Sequence, residues 1–426
     1  MTEVKKMIIN GGTPLRGEVK ISGSKNASVG IVPACILTGD MCVLENVPDV
    51  SDIRKMIDVM NSIGAVCTRE GDVLRIDSRN VNSWVADQES IGKMRGSSYL
   101  MGILLGRFHK ASVCLPGGCS IGARPIDQHL KGFRLLGAKV NVEYGRVDID
   151  ATAGLHGANI YLDFVSVGAT INIMLAACTA AGNTVIENCA MEPHVVDVAN
   201  FLNTCGADIR GAGTNTIKIR GVEKLHGGVY SIIPDQIEAG TFMVAAAATH
   251  GDITVRNIIP KHQEALTAKL EEMNIGVEEG SDWIRIYDKG EPYYPARVKT
   301  APYPGFPTDM QPQIVTLLAI ANGESAVTET IWDSRFSYVS ELNRMGASIR
   351  INDKTATITG VKNLRGNRLK CPDLRAGAAF VIAALSAEGE SQLYDIKYID
   401  RGYENIEAKF RSLGASIERL EVKEDE

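Results

Sequence analysis

The sequence predicts an α/β protein assembled from six similar segments of about 70 residues, and two recurring phrases support this fold class. In the first phrase a helical apolar pattern ends in glycine and a β-branched strand follows, as in SIGAVC, LLGAKV and SLGASI. In the second, a helix rich in Ala and Gly leads through a turn into a strand. Because self-similarity at a fixed period is the signature of a repeat architecture, the repeat decides the fold class.

The first helix of each segment is rich in small residues, as in IEAGTFMVAAAATHGD and RAGAAFVIAALSAEGE. Small side chains let helices approach one another closely, so we expect these helices to form an interior and the strands to form the outer wall. Short alternating strands such as TATITGV suit that wall, because one face can be packed while the other is wet.

The second helix of each segment is expected to end at the recurring glycine. A glycine just past the last helical turn adopts the left-handed conformation without steric strain from a Cβ atom. We therefore predict a helix C-cap, followed by a strand, at each of these positions: Gly64, Gly137, Gly206, Gly276, Gly346 and Gly414.

Six units of this length are compatible with more than one arrangement. Repeats of this kind usually suggest an open solenoid, but the chain has no obvious capping repeat. A closed ring of six units and two domains of three units are equally open alternatives. The Gly- and Pro-bearing segments at residues 10–26 and 227–236 are candidate crossings between two lobes.

Composition limits the class of protein. The chain has 426 residues, enough for two domains, and a net charge of −6 argues against a nucleic-acid partner. Its apolar runs are too short to span a bilayer, and the N-terminus lacks a signal-peptide pattern, so we expect a cytoplasmic protein. The nine cysteines include no CxxC pair and do not cluster with histidine, which predicts no metal site.

Six cations are predicted to stand at the starts of helices in equivalent places of the repeat. A cation at a helix N-terminus is unfavourable unless an anion lies there. If these helix starts share one site, the site would suit a ligand with several phosphate or carboxylate groups. The alternative is that each cation pairs with a carboxylate. The chain contains neither a P-loop nor a dinucleotide-binding glycine motif. The six cations are Lys25, Arg95, Arg124, Arg335, Arg375 and Arg401.

One thiol differs from the others in its surroundings. Cys119 lies among glycines in LPGGCSIGARP, five residues before Arg124, whereas most of the other cysteines lie in apolar runs. A nearby cation lowers the pKa of a thiol and favours the reactive thiolate. Cys119 is therefore the candidate reactive cysteine, on a glycine-rich loop that could close as a lid.

These motifs resemble one known family. The segments GEVKISGSKNAS, LPGGCSIGARPIDQH, GFPTDMQPQ and YIDRGYENIEAKFRSLGA are similar to those of the UDP-N-acetylglucosamine 1-carboxyvinyltransferases, which are enolpyruvyl transferases. The similarity extends from about residue 7 to about residue 420. It implies the enolpyruvyl transferase fold, a two-lobed inside-out α/β barrel with a charged cleft. Lobe one would comprise residues 1–24 and 234–426, and lobe two residues 25–233.

The resemblance also implies an activity. The family transfers the enolpyruvyl group of phosphoenolpyruvate to the 3′-hydroxyl of UDP-N-acetylglucosamine and releases phosphate, the first committed step of peptidoglycan synthesis. It implies two small-molecule substrates, no cofactor and no metal. Two alternatives stay open: a related transferase acting on 3-phosphoshikimate, and a non-catalytic regulatory paralogue that binds a UDP-sugar.

The family's functional residues carry over by motif onto this chain. The resemblance implies that Cys119 is the general acid, and the thiol alkylated by fosfomycin, and that Asp309 is the general base. Lys25 and Arg401 complete the implied catalytic set. The implied contacts to phosphoenolpyruvate are Lys25, Arg124, Arg335, Arg375 and Arg401. The implied contacts to UDP-N-acetylglucosamine are Asn26, Arg95, Arg124, Pro125, Ile126, Asp127, Ser166, Val167, Gly168, Asp309 and Ile331.

Overall fold

A computed structural model of the chain describes residues 3–86, 95–114 and 126–423. These residues form twelve α-helices, two in each of the six predicted repeats. In chain order the helices are α1 Lys25–Ala34, α2 Ser51–Ser62, α3 Tyr99–Phe108, α4 Asp127–Leu135, α5 Val167–Ala177, α6 Pro193–Thr204, α7 Gln236–Ala248, α8 Glu264–Glu272, α9 Gln311–Leu318, α10 Val339–Arg344, α11 Leu374–Ser386 and α12 Ile406–Ser412.

The same residues form twenty-four strands in six four-stranded sheets, so the prediction of six α/β repeats is confirmed. The strands are β1 Glu3–Asn10, β2 Arg16–Lys20, β3 Met41–Glu45, β4 Val66–Glu70, β5 Val73–Asp77, β6 Val85–Ala86, β7 Lys110–Cys114, β8 Lys139–Glu143, β9 Arg146–Asp150, β10 Asn159–Tyr161, β11 Asn183–Glu187, β12 Asp208–Arg210, β13 Thr216–Arg220, β14 Val229–Ser231, β15 Asp252–Arg256, β16 Gly276–Glu279, β17 Trp283–Tyr287, β18 Arg297–Lys299, β19 Glu324–Thr328, β20 Ser348–Asn352, β21 Thr355–Thr359, β22 Arg368–Lys370, β23 Glu390–Tyr394 and β24 Ser416–Lys423.

The described residues divide into two units of three sheets each. The first unit contains residues 3–22 and 234–423, and the second contains residues 23–86, 95–114 and 126–233. Every sheet is built alike: one edge strand runs parallel to its neighbour, and the other two pairings are antiparallel. The repeat therefore extends to strand direction as well as to element order.

In each unit, a strand from the beginning of the unit's sequence pairs with a strand from its end in one sheet. In the second unit β14 follows the third repeat but pairs in parallel with β3, with Val229 opposite Val43. In the first unit β1 lies between β23 and β24, so that Met7 faces both Leu393 and Arg419. These pairings tie the beginning and the end of each unit together.

The small-residue helices form the interior of each unit, as their composition predicts. Residues 237–248 of α7 and 375–385 of α11 are buried throughout. At Gly102 in α3, a Cβ atom would lie 2.3 Å from the backbone oxygen of Asn172 in α5, so this helix contact requires glycine. None of the helices in the described part of the chain has the length and apolar character that a membrane span requires.

Five of the six predicted C-cap glycines adopt the left-handed conformation. Their φ angles are 103° at Gly64, 96° at Gly137, 97° at Gly206, 96° at Gly346 and 92° at Gly414.

The prediction for Gly276 is wrong. The residue two positions after the end of α8 is Asn274, which takes the left-handed conformation with φ 67°. Gly276 instead begins β16, where a Cβ atom would lie 2.4 Å from the ring of Tyr287. Asn tolerates the left-handed region better than most residues, so this repeat uses it as the cap and needs its glycine for strand packing.

Candidate functional site

Two of the predicted cations stand at the starts of α-helices. Lys25 is the first residue of α1, and Arg375 is the second residue of α11. The caps beside them are polar side chains: Ser24 Oγ accepts the N–H of Ala27, and Asp373 accepts the N–H of Arg375 at 2.8 Å. These local bonds explain why the helices begin where they do.

The prediction that Arg335 and Arg401 begin helices is wrong. Residues 333–338 form turns, and α10 begins only at Val339. Arg401 ends a 3₁₀ helix, and the left-handed Asn405, with φ 47°, delays the start of α12 to Ile406. Both arginines therefore lie in irregular segments that connect regular elements.

The first unit brings Asp309, Arg335 and Arg375 together. Asp309 lies in the 3₁₀ turn Thr308–Met310, just before α9. Its two carboxylate oxygens accept bonds from Nη2 of Arg335 at 3.4 Å and from Nη2 of Arg375 at 2.8 Å. The guanidinium side chains are 2% and 5% exposed, whereas the Asp309 side chain retains 31% of its exposure. Two buried cations thus share one carboxylate that stays accessible.

This cluster has spare capacity for an anion. Arg335 Nε and Arg375 Nη1 are buried, and neither has a hydrogen-bond partner among the described residues. A buried charged donor without a partner is costly, and a guanidinium group binds carboxylate or phosphate through two N–H groups at once. Because two guanidinium groups share the Asp309 carboxylate and each keeps an unpartnered N–H group, the arrangement suits a ligand that carries a negative group.

The chemistry around Arg375 keeps it charged despite its burial. Burial lowers the pKa of the Arg375 guanidinium, but the nearby Asp309 carboxylate and other groups outweigh burial and shift the pKa above its ordinary value. The Tyr403 ring lies under the guanidinium, 5.8 Å from its carbon, and the Tyr403 hydroxyl lies 2.8 Å from Thr241 Oγ1. Sequence reasoning missed Tyr403, although it lies two residues after Arg401 in the IDRGYE motif.

In the second unit the Lys25 side chain pairs with a carboxylate. Its Nζ lies 3.1 Å from Asp52 in the first turn of α2, and the two side chains are 14% and 3% exposed. Three of the six cations thus pair with a carboxylate, as the alternative prediction has it: Lys25, Arg335 and Arg375. Asn26 follows Lys25 in α1 and is half-buried.

The second unit also brings two predicted nucleotide-binding segments together. Ile126 and Asp127 stand at the start of α4, and Ser166, Val167 and Gly168 stand at the start of α5. Ser166 Oγ accepts the N–H of Ala169 at 3.3 Å and so caps α5.

The two segments meet at His129 in α4. A Cβ atom at Gly168 would lie 3.0 Å from His129 Nε2, so the ring packs directly against the first turn of α5.

The hydrogen bonds of His129 fix the position of its proton. The Asn172 side chain accepts the Gly102 N–H at 2.9 Å, and its amide nitrogen lies 2.8 Å from both the Ser98 carbonyl and His129 Nδ1. Nδ1 must therefore accept, and the proton resides on Nε2, the atom that faces Gly168. Burial lowers the pKa of His129 to about 4, so the ring is a neutral donor near pH 7. Sequence reasoning missed this residue, although it ends the RPIDQH motif.

The buried His129 should make the protein sensitive to acid. Its folded pKa is about 4, below the ordinary value of about 6.5, so the unfolded chain binds more protons between those values. Its contribution to the free energy of unfolding is complete above pH 6.5 and is lost as the pH falls toward 4. When the pH is lowered from 7.5 to 4.5, the free energy of unfolding should fall in both proteins. We expect the fall to be roughly 2 to 3 kcal/mol smaller in His129→Gln than in the unsubstituted protein.

Urea denaturation at the two pH values measures this difference. His156→Gln, at an exposed histidine of the same unit, is the matched control and should retain the pH dependence of the unsubstituted protein. If His129→Gln retains that dependence as well, His129 is not the group that responds to acid.

Several predicted site residues cannot be placed. Cys119, Arg124 and Pro125 lie outside the described residues, as does the side chain of Arg95, whose backbone begins a 3₁₀ helix. Ile331 is 39% exposed, and its N–H donates to Glu329 at 2.7 Å. Within residues 3–86, 95–114 and 126–423, no cluster of three or more His, Cys, Asp or Glu side chains is arranged to hold a metal ion.

Sequence comparison finds a family and close relatives. Residues 9–410 match the EPSP synthase (3-phosphoshikimate 1-carboxyvinyltransferase) family. The chain is 55% identical to the UDP-N-acetylglucosamine 1-carboxyvinyltransferase of Clostridium botulinum, with 98% of this chain and 100% of the relative covered. It is 53% identical to UDP-N-acetylglucosamine 1-carboxyvinyltransferase 2 of Clostridium acetobutylicum, with the same coverage.

Solved structures share the fold. The enolpyruvyl transferase NikO from Streptomyces tendae matches with a TM-score of 0.89 and 26% identity, over 99% of this chain and 100% of that protein. An EPSP synthase from Acinetobacter baumannii matches with a TM-score of 0.74 and 20% identity, over 98% of this chain and 100% of that protein. The expected enolpyruvyl transferase fold is thereby confirmed.

Proposed function

The chain belongs to the EPSP synthase family and, within it, to the UDP-N-acetylglucosamine 1-carboxyvinyltransferases, and on this premise we propose the reaction that it catalyses. It transfers the enolpyruvyl group of phosphoenolpyruvate to the 3′-hydroxyl of UDP-N-acetylglucosamine and releases phosphate, in the cytoplasm, at the start of peptidoglycan synthesis. The observation that carries this proposal is the accessible Asp309 carboxylate between two buried arginines with unpartnered N–H groups.

The reaction proceeds by addition and then elimination. Asp309 takes the proton of the sugar hydroxyl, whose oxygen forms a bond to the carbon of phosphoenolpyruvate that bears the phosphate. Cys119 donates a proton to the methylene carbon, which becomes a methyl group. In the second half the Cys119 thiolate takes a proton back from that methyl group, the double bond re-forms, and the carbon–oxygen bond to phosphate breaks. The departing phosphate takes the proton held by Asp309, so each of the two acid–base groups ends as it began.

The cations serve mainly to position phosphoenolpyruvate and to stabilise the departing phosphate. Arg335 and Arg375 each have an N–H group available for its carboxylate or phosphate, and Arg401, Arg124 and Lys25 complete the set. The ion pair with Asp52 holds the Lys25 ammonium group in place. Fixed charges of this kind need no rearrangement during the reaction.

The nucleotide is bound by the starts of α4 and α5. The backbone N–H groups of Val167 and Gly168, with the capping Ser166, present a positive helix end to the diphosphate. Ile126 and Asp127, with Arg124 and Pro125 before them, contact the uridine portion. Further contacts to UDP-N-acetylglucosamine come from Asn26, Arg95, Asp309 and Ile331.

Phosphate release tests the proposal directly. Incubation with phosphoenolpyruvate and UDP-N-acetylglucosamine should release one phosphate for each enolpyruvyl nucleotide, detected by mass spectrometry. Phosphate release with 3-phosphoshikimate in place of the UDP-sugar would indicate the related transferase instead. Calorimetric binding of the UDP-sugar without any phosphate release would indicate a regulatory binding protein.

A further inference from the structure

A carboxylate that the proposed reaction does not use is buried beside the Asp309 turn. Glu329 follows β19 and is 1% exposed, and no salt bridge to it is present among the described residues. A buried carboxylate without a counter-ion is costly unless hydrogen bonds stabilise its charge. The hydrogen-bond partners of Glu329 must therefore offset the cost of burying it.

Four donors stabilise the Glu329 carboxylate. Oε1 accepts the Thr300 hydroxyl at 2.9 Å and the backbone N–H groups of Ile331 at 2.7 Å and Trp332 at 3.1 Å. Oε2 accepts one bond from the residues that the structure describes, from the Thr308 hydroxyl at 2.9 Å. One oxygen thus holds the segment after β19, and the other holds the residue before Asp309.

The bond to Thr308 continues into the arginine cluster. The Thr308 carbonyl accepts Nη2 of Arg335 at 3.2 Å, and the same nitrogen bonds Asp309 Oδ1 at 3.4 Å. Thr308 is therefore fixed on two sides, at its side chain by Glu329 and at its carbonyl by Arg335. Because Asp309 is the next residue, these two bonds set the direction in which its carboxylate leaves the turn.

The bond to Thr300 serves a different part of the unit. Thr300 Oγ1 also accepts the Thr330 N–H at 2.9 Å, and the Thr330 hydroxyl donates to the Thr300 carbonyl at 2.6 Å. These bonds join the ends of β18 and β19 and include no member of the arginine cluster. Glu329 therefore has a structural partner and a partner at the candidate site, and each is a threonine hydroxyl.

We propose that Glu329 and Thr308 are positioning residues for Asp309, and that the Glu329–Thr308 bond aims the carboxylate at the sugar hydroxyl. The same carboxylate orders the N–H groups of Ile331 and Trp332, so it fixes two segments of the sugar site relative to each other. This inference rests on the proposed function, in which Asp309 is the base. A misplacement of about 1 Å at a reacting group can cost about a hundredfold in rate.

Two isosteric substitutions separate the two bonds. Thr308→Val removes the bond between Thr308 and Glu329. Thr300→Val, the matched control, removes the structural bond to Glu329 and the bond that Thr300 accepts from the Thr330 N–H. We expect Thr308→Val to lower kcat by about 10- to 100-fold with KM for both substrates changed less than about threefold. Thr308→Ser should restore kcat to within about threefold. Thr300→Val should lower the thermal midpoint but keep kcat within about threefold of the unsubstituted enzyme.

A fourth variant covers the case in which Thr308→Val does not fold. Thr308→Ala also removes the hydroxyl that donates to Glu329 Oε2, and it introduces no second methyl group, so kcat should fall as in Thr308→Val. The positioning role is overturned if both variants keep kcat within threefold, or if kcat falls equally in Thr300→Val. Absence of phosphate release from the unsubstituted enzyme would instead overturn the proposed function, and the positioning role with it.

Discussion

Substituting Asp309 by Asn is expected to lower turnover by about a thousandfold. Asn has the same shape, but its single carbonyl oxygen can accept from only one of Arg335 and Arg375, and it cannot take the proton of the sugar hydroxyl. General bases typically contribute about 10²- to 10⁴-fold to a rate. Steady-state phosphate release measures the loss, and calorimetry should show that UDP-N-acetylglucosamine still binds.

The same substitution should change stability in a characteristic way. Removing the negative charge leaves two buried guanidinium groups without the carboxylate that pairs with both, which costs about 3 to 5 kcal/mol. Added phosphate should recover part of that free energy of unfolding, because an anion can take the place of the lost carboxylate.

Asp353→Asn is the matched control for both measurements. Asp353 is exposed in the turn between β20 and β21 with φ 51°, a conformation that Asn also tolerates, so the control should alter neither quantity. Full turnover in the Asp309→Asn variant would show that Asp309 is not the general base.

The sequence allows the repeat to be predicted because each repeat carries its own local signals. Helical periodicity, small-residue helices and a glycine at a helix end are decided within a few residues, and the structure confirms them in all or nearly all repeats. The exception lies near Gly276. In that repeat the residue with the left-handed φ angle that ends the helix is Asn274, two positions before the predicted glycine. A cap is defined by backbone conformation, and more than one residue type can supply it.

The candidate site is harder to predict because its partners are distant in sequence. Asp309 and Arg375 are 66 residues apart, and no local pattern indicates that one carboxylate serves two arginines. The motifs identify Arg335 and Arg401, but their placement at helix starts was wrong because turns precede α10 and α12.

Residues that act through others leave still less trace in the sequence. Glu329 lies in the unremarkable segment TETI, and its role depends on burial and on four donors from three parts of the unit. His129 is a similar case, because its neutral state depends on burial and on the hydrogen bond to the Asn172 amide. Such residues are found only when the hydrogen bonds of a buried polar group are traced one by one.

The second large effect that we expect concerns the thiol chemistry. Fosfomycin should label one cysteine per chain, Cys119, which lies outside the described residues and is predicted from its glycine-rich loop and the nearby Arg124. The nucleophile is the thiolate, which opens the epoxide, and a cation nearby favours that form. Substituting Cys119 by Ala should abolish labelling and lower turnover by about 10²- to 10⁴-fold through loss of the general acid.

The complete or partial burial of the eight remaining thiols provides the contrast that makes this test sharp. Seven of them are buried, and the eighth, Cys67, is partly exposed. Burial raises the pKa of both Cys67 and Cys178 to about 12, and that of Cys189 to about 11, so these thiols are protonated near pH 7. Peptide mass spectrometry locates the label, with Cys67→Ala as the control that should still be labelled once. Label on a buried cysteine would contradict the assignment of Cys119 as the reactive thiol. Loss of UDP-N-acetylglucosamine binding in Cys119→Ala would contradict a role for Cys119 in proton transfer alone.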